Sequence, residues 1–280
     1  MTGSIEAPPE ISGPEFAAIS TLLHERTGIR LAAGKETLVM GRLGRRLRQL
    51  GLPTYADYVR LLHHPGGEEV RQAIDLLTTN ETSFFRESPH FDYLREVVVP
   101  AHASAHRIFR LWSAASSSGE EAYTAAMVLA ENPPAGSFEI VGTDVSTRII
   151  AGARRGLYPI EAAARIPMPM LRKYWLKGRD EYAGLMAAGS TLREKVTFRH
   201  ANLLDDLGDL GRFDVILLRN VMIYFDHPTK ASLIRRLQDM LYPRGHLIVS
   251  LSESLNAVPS RLRMVRPSIY RLPAVEGLDG

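Results

Sequence analysis

Between Arg212 and Asn220 the chain reads RFDVILLRN, apolar at nearly every position rather than at every second one. A strand that shows apolar side chains to both faces has to be covered on both, which calls for a sheet between two layers of helices. The surrounding sequence supplies the partners. RIFRLWSAA (107–115), SFEIVGTDVS (137–146), KVTFRHANL (195–203) and GHLIVSLSE (245–253) read as further strands. GEEAYTAAMVLAE (119–131), TRIIAGARRG (147–156) and HPTKASLIRRLQDML (227–241) read as helices, the last suited to an Asp226 cap with Pro228 in its first turn. Strands alternating with helices predict an α/β fold with a parallel sheet. A helix over FDYLREVVVP (91–100) leads into it, and RMVRPSIYRLP (263–273) can add an antiparallel edge hairpin.

Upstream of Pro89 no convincing strand interrupts a series of short helices. Phe16, Ile19, Leu22 and Leu23 recur at helical spacing until Gly28, and KETLVMGRLGRRLRQLG, TYADYVRLLHH and EEVRQAIDLLT follow. The expected organisation is a loose Pro- and Gly-rich leader (1–15), an all-α domain (16–78), a linker (79–89) and the α/β domain (90–280). Residues 159–194 break the alternation and are expected to form an insertion or small subdomain on the sheet's rim.

Composition narrows the chemistry. With no cysteine in 280 residues, disulfides, thiolate metal sites and cysteine catalysis are excluded. The nine histidines show no metal-ligand spacing, so no metal is expected. SLSES (250–254) lacks the GxSxG setting of a serine hydrolase. A net charge of +3 is too small for wholesale nucleic-acid binding. No apolar run approaches the roughly 20 residues of a membrane span, and the first residues lack the basic and apolar regions of a secretory signal. A cytoplasmic monomer is expected.

Several stretches point to a ligand, each with a plainer alternative. LWSAASSSGEEAY places small residues at the first strand–helix turn, where a ligand can approach the backbone; an ordinary tight turn would look alike. Glu120 and Glu121 suit a helix N-terminus by its dipole, or could face a cationic group. Asp144 ends the second strand 25 residues after Gly119, where an acid can accept from ribose hydroxyls, or cap the next helix with Ser146. Arg219 and Asn220 stand at the end of the central strand, with Tyr224 four residues beyond Asn220. NETSFFR (80–86) could cap a helix over a small core or grip a ligand. Arg42, Arg45, Arg46 and Arg48 crowd one helix, as a solvated face or a docking surface for an acidic partner.

Taken together, NETSFFR, LWSAASSSGEEAY, GTDVSTRIIAGARRGLYP, ANLLD and RNVMIYFD, in that order behind a helical domain, resemble the CheR-type chemotaxis-receptor glutamate methyltransferases over about Phe16 to Leu272. The resemblance implies a Rossmann-like methyltransferase domain with an inserted β subdomain, and S-adenosyl-L-methionine as cofactor, leaving as S-adenosyl-L-homocysteine. It implies that Asn80, Thr82 and Arg86 approach the cofactor from the linker, and that Glu120 and above all Glu121 lie by its methionine end. Asp144 would bind ribose, Asn202 and Leu203 would flank adenine, and Arg219 with Asn220 would close the site. Arg86 and Tyr224 would stand at the reacting centre. The partner implied is the cytoplasmic signalling domain of methyl-accepting receptors, whose Glu-rich helices Arg42, Arg45, Arg46 and Arg48 could dock. Ser116, Ala122 and Leu251 depart from the family's common residues, Leu251 standing where many relatives have His. Two other functions fit the same residues: a methyltransferase of this build with another acceptor, and a non-catalytic cofactor-sensing module.

Overall fold

In the computed structural model, which describes residues 9–64, 67–102 and 107–274, the RFDVILLRN run becomes a strand buried at all six positions, Phe213–Leu218. Ten strands follow in chain order: β1 Phe109–Ser113, β2 Phe138–Asp144, β3 Leu157–Pro159, β4 Trp175–Lys177, β5 Leu185–Ala188, β6 Val196–His200, β7 Phe213–Leu218, β8 Leu241–Val249, β9 Arg263–Arg266 and β10 Ile269–Arg271. Seven build one sheet in the order β6-β2-β1-β7-β8-β10-β9. The first five of these run parallel, and β10 and β9 close the edge antiparallel. The expected terminal hairpin is therefore present. Strand order reverses between β1 and β7, since β1 pairs with β2 on one side and β7 on the other.

The chain divides into two compact units, one holding the residues up to Thr79 with Tyr224–Asp226, the other Asn80–Ile223 with the residues from His227 on. In the first, helices span Gly13–Thr27, Glu36–Leu50, Tyr55–Leu62 and Glu68–Leu77. The leader was expected to run loose to residue 15, but the helix begins at Gly13; residues 1–8 lie outside the described residues. The reason is a capping box. Ser12 Oγ accepts from the Glu15 N–H at 3.4 Å, and Glu15 Oε2 accepts from the Ser12 N–H at 2.7 Å. Gly28 ends that helix in the left-handed region at φ 75°, as its sequence position indicated.

In the second unit, the apolar interior forms where helix Glu120–Glu131, whose Ala122, Ala125, Ala126 and Leu129 are fully buried, packs on β1 and β2. Small side chains let the helix approach the sheet closely. β8 starts at Leu241, four residues before the sequence reading placed it. A bulge makes this possible: the β7–β8 register shifts, and Pro243, which has no N–H to contribute, and Arg244 at φ 65° fall at the irregularity. The inserted segment is a separate three-stranded antiparallel sheet, β3-β5-β4, beginning at Leu157 rather than 159.

Candidate active site

At the carboxyl ends of β1, β2, β7 and β8 polar side chains replace apolar ones, beside the switch point where open α/β sheets bind ligands. Arg219, directly after β7, is only 5% exposed. It donates to Glu121 Oε2 at 2.8 Å, to Glu87 Oε2 at 3.3 Å and to the Arg86 carbonyl, and its guanidinium lies over the Phe91 ring. Its Nε makes no hydrogen bond to the described residues. Ser113 Oγ, at the end of β1, donates to Glu121 Oε1 at 2.7 Å. Burial pushes the Glu121 carboxyl up against the pull of Arg219 and Ser113, and the Glu120 carboxyl up against a bond from Ser118. Burial also works to raise Glu87, but the Ser250 hydroxyl, Arg219, the Leu251 N–H and His90 together bring it below its ordinary value.

Asp144 ends β2, 8% exposed. Its two oxygens accept the N–H of Ser117 at 2.9 Å and of Ser146 at 3.0 Å. Burial raises this carboxyl while those N–H groups oppose the rise. The cap alternative is thus half right: it is Ser146 Oγ that accepts from Ile149 N–H, while Asp144 holds the Ser146 backbone.

NETSFFR is a strap laced to these elements. Ser117 Oγ donates to the Asn80 carbonyl at 3.1 Å, and Phe85 N–H donates to Thr124 Oγ1 at 3.2 Å. Phe84, 1% exposed, packs edge-on against Tyr158 and Trp175 of the inserted sheet. Arg86 and Thr82 stay half-buried; Arg86 donates to the Glu81 carbonyl at 2.7 Å, one of its five N–H donors. Phe85, Glu87, Ser117 and Asn220 all have positive φ, between 50° and 57°. Side chains other than glycine seldom adopt that region, and such strain concentrates at functional sites.

Asn202 turns its Oδ1 onto the Leu204 N–H at 3.0 Å, and Leu203 is buried. Arg236 holds this loop from helix His227–Asp239, donating to the carbonyls of Leu203, Leu204 and Asp205. Asn220 donates its side-chain amide to Ser250 Oγ at 2.8 Å. Glu253, 9% exposed, accepts from Asn220 N–H at 3.1 Å, Ser250 N–H at 2.9 Å and Ile223 N–H at 3.2 Å. Glu87, Glu253, Ser250 and Arg236 were missed as site residues. Glu87 could have been suspected, because it follows NETSFFR immediately; Glu253 was visible only as a failed hydrolase motif.

Two groups of expected residues fall in the helical unit. Tyr224 is half-buried, and its carbonyl accepts from Arg30 N–H at 2.9 Å. Of the four arginines, Arg42 donates to the Leu77 carbonyl and to Thr79, and Arg46 makes a two-pronged pair with Glu69. Those two serve the unit's own architecture, whereas Arg45 and Arg48 are exposed.

Compared with known families, residues 80–270 match the domain described as "CheR methyltransferase, SAM binding domain", and residues 14–78 match "CheR methyltransferase, all-alpha domain". The chain belongs to the CheR methyltransferase family. It is 39% identical to Chemotaxis protein methyltransferase 2 of Pseudomonas aeruginosa over 91% of this chain and 92% of that one. It is 37% identical to the chemotaxis protein methyltransferase of Escherichia coli, over 94% of this chain and 92% of that one. Among solved structures it is similar to an RNA methyltransferase from Salinibacter ruber, with a TM-score of 0.36 and 16% identity over 69% of this chain and 97% of that one, a likeness too distant to bear on function.

The CheR site is chemically suited to S-adenosylmethionine. A carboxylate has about four acceptor positions and Asp144 meets the backbone N–H groups of Ser117, Ser146 and Val145, which leaves it capacity for a ribose hydroxyl. The Ser116 hydroxyl, 1% exposed beneath the same turn, makes no hydrogen bond to the described residues. The carboxyl groups of Glu120 and Asp144, beside Glu121 paired to Arg219, offer acceptors that suit an ammonium and ribose hydroxyls. Among the described residues no three His, Asp or Glu gather as they would around a metal, and no helix is long and apolar enough to cross a membrane.

Proposed function

We propose that this CheR protein transfers the methyl group of S-adenosylmethionine to glutamate side chains of chemoreceptor signalling domains, giving glutamyl methyl esters. The observation that carries the proposal is the lacing of the strap across the strand ends, through Asn80 to Ser117, Phe85 to Thr124 and Arg86 to Arg219. In this reading the lacing holds the strap that carries Thr82 and Arg86 at the strand ends that suit the cofactor. The names of the relatives, chemotaxis protein methyltransferases, support the acceptor class.

When bound, S-adenosylmethionine supplies an electrophilic methyl on sulfonium sulfur. The acceptor needs no general base, because a glutamate with a reference pKa of about 4.3 is already ionised at neutral pH. The protein's task is then alignment, which can contribute several kcal/mol. In this reading Arg86 orients the acceptor carboxylate with a forked contact, and Tyr224 steadies it with a hydrogen bond. Asp144 holds ribose, Asn202 and Leu203 flank adenine, and Glu121, Arg219 and Asn220 with Asn80 and Thr82 shape the remainder. Arg45 and Arg48, the exposed members of the basic helix, carry receptor docking.

Incubation with methyl-labelled cofactor and receptor cytoplasmic fragments tests the proposal. A base-labile label on receptor glutamates is the expected result. Cofactor binding with no label on any receptor fragment would sink it.

A further inference from the structure

In the inserted sheet, Tyr158 meets both the strap and the turn of the strand-end site. Tyr158, the middle residue of β3, is 4% exposed, and its hydroxyl donates to the Ser118 carbonyl at 2.7 Å. Ser118 lies between Ser117, which holds both Asp144 and Asn80, and Glu120, whose carboxylate accepts from the Ser118 hydroxyl at 2.6 Å. The same tyrosine ring stands edge-on to Phe84 of the strap, with centroids 5.1 Å apart. The turn also rests on the hydroxyl directly: a Cβ at Gly119, where φ is 97°, would lie 3.0 Å from it. One side chain therefore touches the turn through its hydroxyl and the strap through its ring. Burial pushes the phenol well above its ordinary range, which keeps it a donor at neutral pH.

We infer that Tyr158 is a positioning residue for the cofactor. From the inserted sheet it sets the spacing between the turn carrying Ser117–Glu121 and the strap carrying Asn80–Arg86. The inference rests on the S-adenosylmethionine assignment made above and extends it to a residue outside the parallel sheet.

Tyr158→Phe removes the hydroxyl and keeps the ring. Its affinity for S-adenosylmethionine, measured by calorimetry, should fall about fivefold to tenfold, the upper part of the range one hydrogen bond spans. KM for the cofactor should rise in step, with a smaller change in kcat. Tyr158→Leu, which also removes the ring beside Phe84, should lose more. A Tyr158→Phe protein that melts lower yet binds the cofactor within about twofold of the parent has only a structural tyrosine, and the inference fails. The unaltered chain offers a second measurement, because coupling is reciprocal. Adding S-adenosylmethionine should slow amide hydrogen exchange at Leu157 and Tyr158; unchanged exchange at β3 overturns the inference. Failure of the parent itself to bind S-adenosylmethionine would instead overturn the cofactor assignment.

Discussion

The two ends of β7 make the same kind of contact and use it differently. At the amino end, Asp214 takes two bonds from Arg107, one from the Arg110 N–H at 2.9 Å, and lies 3.4 Å from His102. At the carboxyl end, Arg219 faces Glu121 and Glu87. Asp214 is surrounded by donors, beside the β7–β8 bulge where Arg244 stands at φ 65°. Among the described residues, the Arg219 end has Nε and the Ser116 hydroxyl without hydrogen-bond partners, carboxyls raised by burial, and positive φ at Phe85, Glu87, Ser117 and Asn220. A saturated polar cluster fixes a fold. One with unmet hydrogen-bonding capacity is prepared for something else to bind.

The sharpest way to break this contrast is to remove each arginine. Arg219→Ala leaves buried carboxylates uncompensated and should cost about 3–5 kcal/mol in urea denaturation, with cofactor binding lost. Arg107→Ala, at a side chain 36% exposed, should cost roughly 1–2 kcal/mol and leave cofactor affinity within about twofold. Loss of cofactor binding in the Arg107 variant would erase the distinction. Next in size, Arg86→Ala should lower methyl transfer on the order of 10²-fold, by analogy with the loss of one transition-state donor, with little change in melting temperature. Single-turnover transfer at the parent's rate would remove Arg86 from the reacting centre.

Acid should weaken both ends of the sheet. Burial, with Arg219 for His90 and Arg271 for His246, lowers each imidazole to about 4. Between pH 4 and 6.5 the unfolded chain binds more protons at these positions than the folded chain, so stability is full above 6.5 and declines as pH falls toward 4. Each residue contributes up to about 3 kcal/mol across that window. Denaturation midpoints of His90→Phe and His246→Phe against pH should each show a shallower acid limb. The smallest effect belongs to the helical unit. Arg45→Glu with Arg48→Glu should slow methylation a few-fold, at limiting receptor and low salt, through the encounter rate, with cofactor affinity unmoved. Equal rates for parent and variant would deny those arginines a docking role.

Most of the architecture was legible because the period of apolar residues announces it. Leu111, Ile140, Val215, Leu217 and Ile248 are buried as strand interiors, and Thr54, Gly28 and Gly51 mark helix ends. The misplaced start of β8 came from a bulge around Pro243, where local propensity argues against a strand that pairing nevertheless imposes. At the site, Asp144, Glu121 and Arg219 were readable because each sits at a strand end or helix start. Glu87 and Glu253 were not, since their partners lie 163 and 33 residues away at Ser250 and Asn220. The partners on the basic helix were hidden for the same reason: Arg42 and Arg46 find theirs on helix Glu68–Leu77 and at Thr79, which spacing along one helix cannot reveal.

Asn220 has a consequence for how the chain can drift. Its φ of 57° favours glycine, asparagine or aspartate over other residues. Glycine would keep the backbone but forfeit the amide on Ser250, and no single-base change turns an asparagine codon into a glycine codon. Aspartate lies one base away, but it would bring another carboxylate to Ser250, whose hydroxyl already donates to Glu87 and whose N–H is held by Glu253. A lost hydrogen bond and the codon table close one mutational exit and charge the other, so the position is an evolutionary cul-de-sac rather than merely a useful residue.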